Sequence, residues 1–425
     1  MKRTLCLIFT VAALACAQQA PVPLTLQDAE AIAIKNHPQL AAARLYAQAA
    51  EQVTNETRSA YYPNLFASVT GAGASDNSRI AAGSLSNSII YDRLATGVSV
   101  GQTLVDFGRT SNLVESSRLQ AQAQQESALA TRAQVLLQVD RAYYGALRAQ
   151  TVMQVAHQTV AARQLIADQI SALAQSKLKS GLDVSFANVN LSEAKLLLVN
   201  AENEVKSAFA ELSLALGSPV AQTFELVEPQ TANALPDKPA QLIGDALNAR
   251  PEVAGYRAEH ESALRFARAE RALWFPSVSV MASSGFIPSH QDMLRDHYSA
   301  AGLNINIPIF HGRLFSARRN EAELRAQAAE QNLKDLENHI ARDVQVAWLN
   351  ANTAYQRLDL TRQLLNQANQ ALDLAQTRYD LGLSSIVELS QAQLNKTSAE
   401  ISSASAKYEY QLQRAVLDYE VGAMK

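Results

Sequence analysis

The chain of 425 residues has almost no cysteine: its only two, Cys6 and Cys16, lie near the N-terminus. Sixteen glycines and twelve prolines interrupt the chain at only a few places, and aromatic residues make up 6% of it. Alanine, leucine and glutamine dominate the long uninterrupted segments. No disulfide framework therefore holds the rest of the chain, and closely packed long helices are favoured over a bulky globular core.

The sequence also lacks an excess of charge of one sign. Its formal net charge is −3, whereas nucleic-acid binders usually gather a basic excess on one face, so we expect no nucleic-acid partner. Beyond the N-terminus, no apolar run reaches the roughly 18 residues that a transmembrane helix needs. Any insertion of this chain into a membrane must therefore use strands.

Motifs of catalytic, metal and cofactor sites are absent as well. The seven histidines have neither the paired helical spacing nor the cysteine partners of metal motifs. The sequence contains no Gly-x-Ser-x-Gly elbow, no phosphate loop and no dinucleotide fingerprint. We therefore expect no enzyme activity, no metal site and no cofactor.

Residues 1–17 have the pattern of a secretory signal peptide. A basic pair precedes an apolar stretch at residues 5–15, and Ala15-Cys16-Ala17 resembles an Ala-x-Ala cleavage site. The mature chain is therefore predicted to be exported. Two fates of Cys16 remain open, namely lipid modification as the new N-terminus or simple cleavage of the leader.

Beyond the leader, the same plan is written twice. Residues 36–38 return at 249–251 and residues 62–65 return at 275–278, each displaced by 213 residues. An Asp-Phe-Gly-Arg motif is later echoed by Phe-His-Gly-Arg, which aligns Gly108 with Gly312. A repeat of this length indicates a duplicated structural unit.

Long helices are predicted in both halves. Between Gly312 and Gly382 no Gly or Pro interrupts the chain, and a heptad seam typical of a coiled coil runs through it. Its apolar positions are Ile340, Val344, Ala347, Ala351, Ala354, Leu358, Leu365, Ala368, Leu372, Ala375 and Tyr379. A turn containing glycine follows each long helix, so we predict helical hairpins at about 110–216 and about 313–421.

Two strands are predicted before each hairpin, because apolar residues alternate there with small or polar ones. The predicted strands are about 64–74, 93–105, 277–284 and 298–308. The alternation fits a soluble sheet with one buried face, and it also fits a transmembrane barrel with one face toward lipid. In a barrel the lipid-facing residues include Val98, Val100, Leu303 and Ile305.

Four strands cannot close a membrane barrel, because the smallest single-chain barrels have about eight strands and lipid does not tolerate open sheet edges. Three copies would supply twelve strands. We therefore predict a mainly α fold with a small β part, in which a homotrimer joins an α-helical barrel to a shared 12-stranded transmembrane β-barrel. The predicted organisation is signal peptide 1–17, first repeat 18–217, linker and equatorial region 218–239, and second repeat 240–425.

The duplicated order of helix, two strands, long helix, turn and helix resembles the TolC-like outer-membrane efflux protein family. The resemblance covers about residues 24–425 and rests on segments 26–31, 36–40, 62–65, 103–108 and 378–382. It implies a passive exit duct in the outer membrane of a Gram-negative-type cell, with a long periplasmic helical part. An inner-membrane transporter and a periplasmic adaptor would deliver substrate, in tripartite efflux or type I secretion.

The resemblance also implies roles for residues at the hairpin turns. Glu388 matches the first site of an acidic ring that narrows the pore, and Gln391 stands where a second acid is often found. Residues that match the family's contacts with the adaptor are Gly181, Leu182, Gly382 and Leu383. Glu388 is alternatively a solvated acid at a helix start, and both glycines are expected in a tight turn in any case.

Two further alternatives remain. Tyr61, Tyr62, Tyr91 and Tyr298 either form an aromatic girdle at the bilayer boundary or pack at strand ends. The competing function is a periplasmic coiled-coil scaffold or adaptor with a soluble sheet. Adaptors normally carry one helical hairpin, whereas this chain has two, each preceded by a strand pair, and this difference favours the duct.

Overall fold

The fold is that of a computed structural model, which describes most of the chain beyond the leader. The described residues are 23–73, 75, 79–82, 85–89, 92–229, 235, 239–290 and 295–424. The predicted signal peptide with Cys16 lies outside these ranges, as do Tyr91 and part of the predicted linker 218–239.

Helices account for most of the described chain, and strands form a small part. The helices are α1 (Leu26–Asn36), α2 (Pro38–Arg58), α3 (Arg109–Gln175), α4 (Gly181–Ala215), α5 (Pro239–Ala249), α6 (Pro251–Arg271), α7 (Leu314–Asp380) and α8 (Ile386–Val421). The strands are β1 (Pro23–Leu24), β2 (Asn64–Ala72), β3 (Arg79–Ala82), β4 (Leu85–Ile89), β5 (Arg93–Val105), β6 (Glu225–Leu226), β7 (Ser277–His290) and β8 (His297–Asn306).

The long helices bury their heptad seam. In α7, Val344 and Ala351 are fully buried, and the other seam positions are buried or half-buried. The shorter helix α4 buries a matching stripe of alanines spaced by seven residues, namely Ala187, Ala194, Ala201 and Ala208. Small side chains on this stripe let neighbouring helices approach closely.

The chain forms two compact units. Unit 1 comprises Met1–His37, Val135–Leu235 and Ala351–Ala415, and unit 2 comprises Pro38–Gln134, Pro236–Asn350 and Val416–Lys425. Both hairpin turns belong to unit 1, and the four-stranded sheet belongs to unit 2. No helix in the described ranges is both long and apolar enough to cross a membrane.

Within unit 1, the segment after the first repeat returns to the start of the chain. Strand β6 pairs in parallel with β1. The buried hydroxyl of Tyr143 lies 2.8 Å from the carbonyl oxygen of Leu24 and 2.6 Å from that of Val227. Burial raises the pKa of Tyr143 to about 12, so the hydroxyl keeps its proton and donates it between these two segments. The predicted linker is thus tied to α3 at this point.

Within unit 2, four antiparallel strands form one sheet in the order β2, β5, β7, β8. The central pairing of β5 with β7 joins the two repeats. Strand β7 extends to His290, beyond the predicted end near residue 284, because it continues to pair with the start of β5. Strand β8 ends at Asn306, before the predicted 308, where Pro308 has no N–H for the ladder.

A second pair of strands, β3 and β4, was not expected from the alternation of the sequence. They pair with each other between β2 and β5, with an irregular register between Arg79 and Ala81. The short, small-residue strand β3 offers too little periodic pattern to separate it from a loop.

The backbone repeats more faithfully than the side chains. The residues with left-handed φ in the described ranges form four pairs, each separated by 205 residues. These pairs are Phe107 and Gly312, Gly108 and Arg313, Lys177 and Gly382, and Gly217 and Gly422. The sequence alignment of Gly108 with Gly312 is therefore wrong by one residue. Likewise, the counterpart of Gly382 is Lys177, because Gly181 is instead the first residue of α4.

Candidate functional site: sheet faces and hairpin turns

The register of the sheet separates its side chains into two faces. Residues opposite each other in an antiparallel pair share a face, so the pairs Val100 with Ala282 and Val280 with Leu303 mark one face. The four residues predicted to face lipid, Val98, Val100, Leu303 and Ile305, all lie on this face. Val98, Leu303 and Ile305 are exposed in the chain. This apolar face is not buried by the rest of its own unit, unlike the buried face of a soluble sheet.

The opposite face carries mostly small and polar side chains. Representative members are Ser68, Ser99, Gly101, Ser283, Gly302 and Asn304. Two large apolar residues, Phe66 and Met281, interrupt it and are exposed. The two faces of the sheet thus differ strongly in polarity, which is the arrangement of a wall between an apolar and an aqueous phase.

Tyr298 lies on the small-residue face, across two glycines. It is opposite Gly285, which in turn is opposite Gly97. A Cβ atom added at either glycine would collide with the Tyr298 side chain. The girdle interpretation of Tyr298 is therefore replaced by cross-strand packing, because only glycine leaves room for the ring.

The two hairpin turns in unit 1 have the same backbone hydrogen bonds. At the end of α3, the amide of Leu178 donates to the carbonyl of Leu173 at 2.9 Å; at the end of α7, the amide of Leu383 donates to that of Arg378 at 2.8 Å. This pattern is the Schellman motif, which needs a left-handed residue just before the donor. Lys177 takes that position in the first turn and Gly382 takes it in the second.

Helix α4 begins immediately after the first turn with a capping box. The hydroxyl of Ser180 accepts a hydrogen bond from the amide of Asp183, and the Asp183 carboxylate accepts from the Ser180 amide at 3.0 Å. Gly181 therefore belongs to the helix, while Leu182 and Leu383 are exposed beside the turns. The Ser180 backbone hydrogen bond holds the pKa of Asp183 below its usual range.

The two turns lie next to each other. The ammonium of Lys179 is 3.8 Å from the centroid of the Tyr379 ring, a distance suited to a cation–π contact. Beneath it, both hairpins share a buried apolar cluster. Its members are Ala167, Ile170, Ala187, Leu191, Tyr379, Ile386 and Leu389. The sequence offers no signal for the Lys179 contact, because the two residues belong to different repeats.

Glu388 lies in the first turn of α8 and has a partner that the sequence pattern did not reveal. Its carboxylate forms an ion pair of 3.2 Å with the guanidinium of Arg378, at the end of α7. Both side chains are about half-exposed. The Gln391 side-chain amide donates to Asn395 at 3.0 Å. In the single chain, Arg378 thus offsets part of the charge at the predicted acidic ring.

Within the described ranges, no group of three or more His, Cys, Asp or Glu side chains is placed to hold a metal ion. The buried hydroxyl of Ser384, where some members of the resembled family have a basic residue, has no hydrogen-bond partner in the described part of the chain. The polar features of the turns are therefore ion pairs, caps and a cation–π contact.

Comparison with known proteins connects this geometry to one family. The sequence model of the outer membrane efflux protein family matches residues 31–218 and 242–423, which includes both repeats. The match leaves out residues 219–241, between the repeats, which include β6 and part of the predicted linker.

Individual relatives are distant but similar over most of their length. The chain is 26% identical over 362 residues to outer membrane protein OprJ of Pseudomonas aeruginosa, covering 83% of this chain and 74% of that one. It is 23% identical over 397 residues to outer membrane efflux protein BepC of Brucella suis, covering 92% and 84%. The crystal structure of the outer membrane protein VceC of Vibrio cholerae shares the fold, with a TM-score of 0.80, 18% identity and coverage of 93% and 96%.

Proposed function

The chain belongs to the outer membrane efflux protein family, and on this premise we propose that it is the outer-membrane exit duct of a tripartite efflux system. It conducts substrate passively to the outside from an inner-membrane pump and a periplasmic adaptor, and it catalyses no reaction. The observation that carries the proposal is the sheet of unit 2, which exposes an apolar face and has a small, polar face behind it. Membrane barrel walls have this dyad, with the apolar face toward lipid.

The edges of the sheet support a homotrimer. Strands β2 and β8 are the outer strands of the four-stranded sheet, so each has a free edge in the described chain. Lipid does not satisfy exposed backbone groups, so such edges must pair with another copy. Joining β2 of one copy to β8 of the next would close twelve strands around three copies.

The helices offer matching surfaces for such neighbours. Helix α4 exposes an apolar stripe with heptad spacing at Leu182, Val189 and Leu196, separate from its buried alanine stripe. Helix α7 exposes another at Val346, Leu360, Leu374 and Leu381. Heptad stripes of this kind are typical of helices that pack side by side, and in the trimer they would line the contacts of an α-helical barrel.

The hairpin turns are the proposed end of the duct that meets the adaptor. Leu182 and Leu383 are exposed there, next to Gly181 and Gly382, and form an apolar contact surface. Glu388 would form one acidic ring in the trimer, while Gln391 contributes no charge. Replacing Glu388 by Gln should then lower the cation preference of the reconstituted pore, and Gln391→Glu should raise it. Unchanged selectivity in both variants would remove these residues from the constriction.

The decisive test is where the mature protein resides and its mass, measured by membrane fractionation and by light scattering of the extracted protein corrected for detergent. We expect a trimer in the outer membrane. A periplasmic monomer or dimer would instead support the scaffold interpretation.

A pair of variants tests the facing of the sheet. Val98→Lys places a charge on the apolar face, where lipid makes it cost roughly 2–4 kcal/mol near the bilayer midplane. Ser99→Lys, its neighbour on β5, places the same charge on the opposite face. We expect Val98→Lys to prevent assembly in the outer membrane and Ser99→Lys to assemble. Equal assembly of the two variants would contradict the proposed facing.

A further inference from the structure

The small-residue face of the sheet contains one apolar recess, between Phe66 on β2 and Met281 on β7. We propose that this recess is a binding subsite on the exit path for neutral, flat, apolar ring compounds. The inference rests on the proposed function, because it takes the small-residue face as the lumen side of the duct.

The register explains why a recess forms at this position. Phe66 is opposite Ser99, and Met281 is opposite Gly101, so both large side chains border the same stretch of β5. Ser99 and Gly101 leave the floor between them almost free of side-chain atoms. Strand β5 separates β2 from β7 by about 10 Å, which is room for one flat ring with carbon contacts of about 3.5–4 Å on each side.

The dimensions of the recess suit a small molecule. Its volume is about 470 Å³, within the roughly 300–1,000 Å³ that is usual for small-molecule sites. Ser283, Gly302 and Asn304 complete the lining. No charged side chain is among the lining residues in the described chain. The site therefore favours a neutral ligand, with a serine hydroxyl and an asparagine amide to orient a single polar substituent.

The exposure of the two bordering side chains indicates that something apolar occupies the recess. Phe66 is 65% exposed and Met281 is 59% exposed, on a face whose other members are mostly small or polar. Their apolar surface gains free energy only when another apolar group removes it from water. Lipid cannot supply that group, since it would meet the opposite face, where Val98 lies.

A second copy of the chain would not cover the recess either. In the closed barrel, β2 would pair with β8 of the neighbouring copy. The residues of β8 on this face beyond Tyr298 are Ala300, Gly302, Asn304 and Asn306. These side chains are too small to bury the ring of Phe66, so the recess would stay open to solutes in transit.

The test uses the full-length mature protein in lipid nanodiscs, with methionine methyl groups labelled by carbon-13. The probe is 2-naphthol, which is neutral at pH 7 and flat. Ring currents from a bound naphthol should shift the Met281 methyl resonance in a saturable way, while Met153 on α3 serves as an internal control. The resonance of Met281 is assigned with Met281→Leu. Phe66→Ser should raise the concentration for half-saturation about tenfold, whereas Phe66→Leu should nearly preserve it.

The outcomes separate this inference from the proposed function. If the wild-type trimer shows no saturable shift of Met281, or if Met153 shifts equally, the subsite is refuted while the duct stands. A shift that Phe66→Ser leaves unchanged also refutes it. If the protein is not an outer-membrane trimer, the proposed function fails first, and this outcome is read from the mass and fractionation rather than from the spectrum.

Discussion

The long helix of the first repeat ends through Lys177 at φ 59°, whereas that of the second ends through Gly382 at φ 73°. The hydrogen bonds of the two turns are the same. A non-glycine residue in the left-handed region costs about 1–2 kcal/mol, so the first turn has this cost and the second avoids it. The comparison teaches that the backbone plan is common to both repeats and that each repeat stabilises it with different chemistry.

The first helices of the repeats show a second difference. Glu30 on α1 is half-buried and forms a side-chain hydrogen bond with Asp140 on α3; burial raises the pKa of Glu30. At the displacements of 213 and 205 residues, the second repeat has Ile243 and Gln345 in these places. Ile243 packs against an apolar cluster that includes Val253 and Val344. The first repeat thus buries a carboxyl where the second buries a hydrocarbon.

The junction between the first two helices of each repeat shows a third difference. Gly217 packs against Asn36 and His37, and its counterpart Gly422 packs against Ala249 and Arg250. Only the second junction has an arginine, whose guanidinium donates to Glu252 at 2.9 Å and to Glu420 at 2.6 Å. Burial raises the pKa of Glu420, while pairing with Arg250 holds the pKa of Glu252 down against its own burial.

The largest effect is expected where one repeat is given the residue of the other in the sheet. Gly285 lies 213 residues after Ala72, but Gly285→Ala would drive a methyl group into the carbonyl oxygen of Thr96 and the ring of Tyr298. Because backbone must move, we expect a loss of about 3 kcal/mol, seen as a lower temperature of heat-induced loss of circular dichroism. Gly302→Ala, which meets open space, should change little. Similar losses from the two variants would contradict the packing of Tyr298.

The next effect concerns the junctions. Arg250→Ala leaves Glu252 and Glu420 together without their cation, and breaking a fully buried pair costs 3–5 kcal/mol. Since both carboxylates are partly exposed, we expect about 2 kcal/mol, measured as a shift of the thermal midpoint. His37→Ala, the matched change in the first repeat, should cost clearly less. A larger loss from His37→Ala would reverse the comparison.

The turns should respond with opposite signs. Lys177→Gly relieves the left-handed lysine and should stabilise the first turn by about 1 kcal/mol, and Gly382→Lys should destabilise the second by a similar amount. Hydrogen exchange of the amides in each turn measures both changes. Gly181→Ala is the control, because Gly181 has an ordinary helical position and alanine should be tolerated there. The assignment of Lys177 as the turn residue fails if Gly181→Ala costs more than Gly382→Lys.

The smallest effect is expected at Glu30, and it depends on pH. The folded state raises the pKa of Glu30, so its stabilising contribution is complete below the unfolded value near 4.5 and is lost as pH rises through the folded pKa. Glu30→Gln keeps a neutral hydrogen-bonding side chain. It should raise the thermal midpoint at pH 7 and have less effect at pH 4, whereas Glu51→Gln on an exposed surface should do neither. A pH-independent shift would exclude ionisation of Glu30 as the cause.

Much of this fold follows from local patterns in the sequence. The heptad seam through Val344 and Ala351 predicted α7, and the alternation around Val98 predicted β5, because side-chain periodicity depends only on the geometry of the individual element. The family resemblance and its order of elements were recognisable for the same reason. Boundaries were less accurate, since the end of β7 depends on its partner strand. The roles of Glu388, Gln391 and the turn residues stay predictions, as does the lipid-facing role of Val98, Val100, Leu303 and Ile305.

The sequence by itself determined the duplication, the long helices, the strand pairs and the family. Only the tertiary structure decided which residues meet across repeats: β5 with β7, Lys179 with Tyr379, and the Tyr298 ring with Gly97 and Gly285. It also decided that Lys177, and not Gly181, takes the left-handed position. The physical reason is that periodicity and propensity are local, whereas pairing register and turn position are set by contacts between segments far apart in the chain.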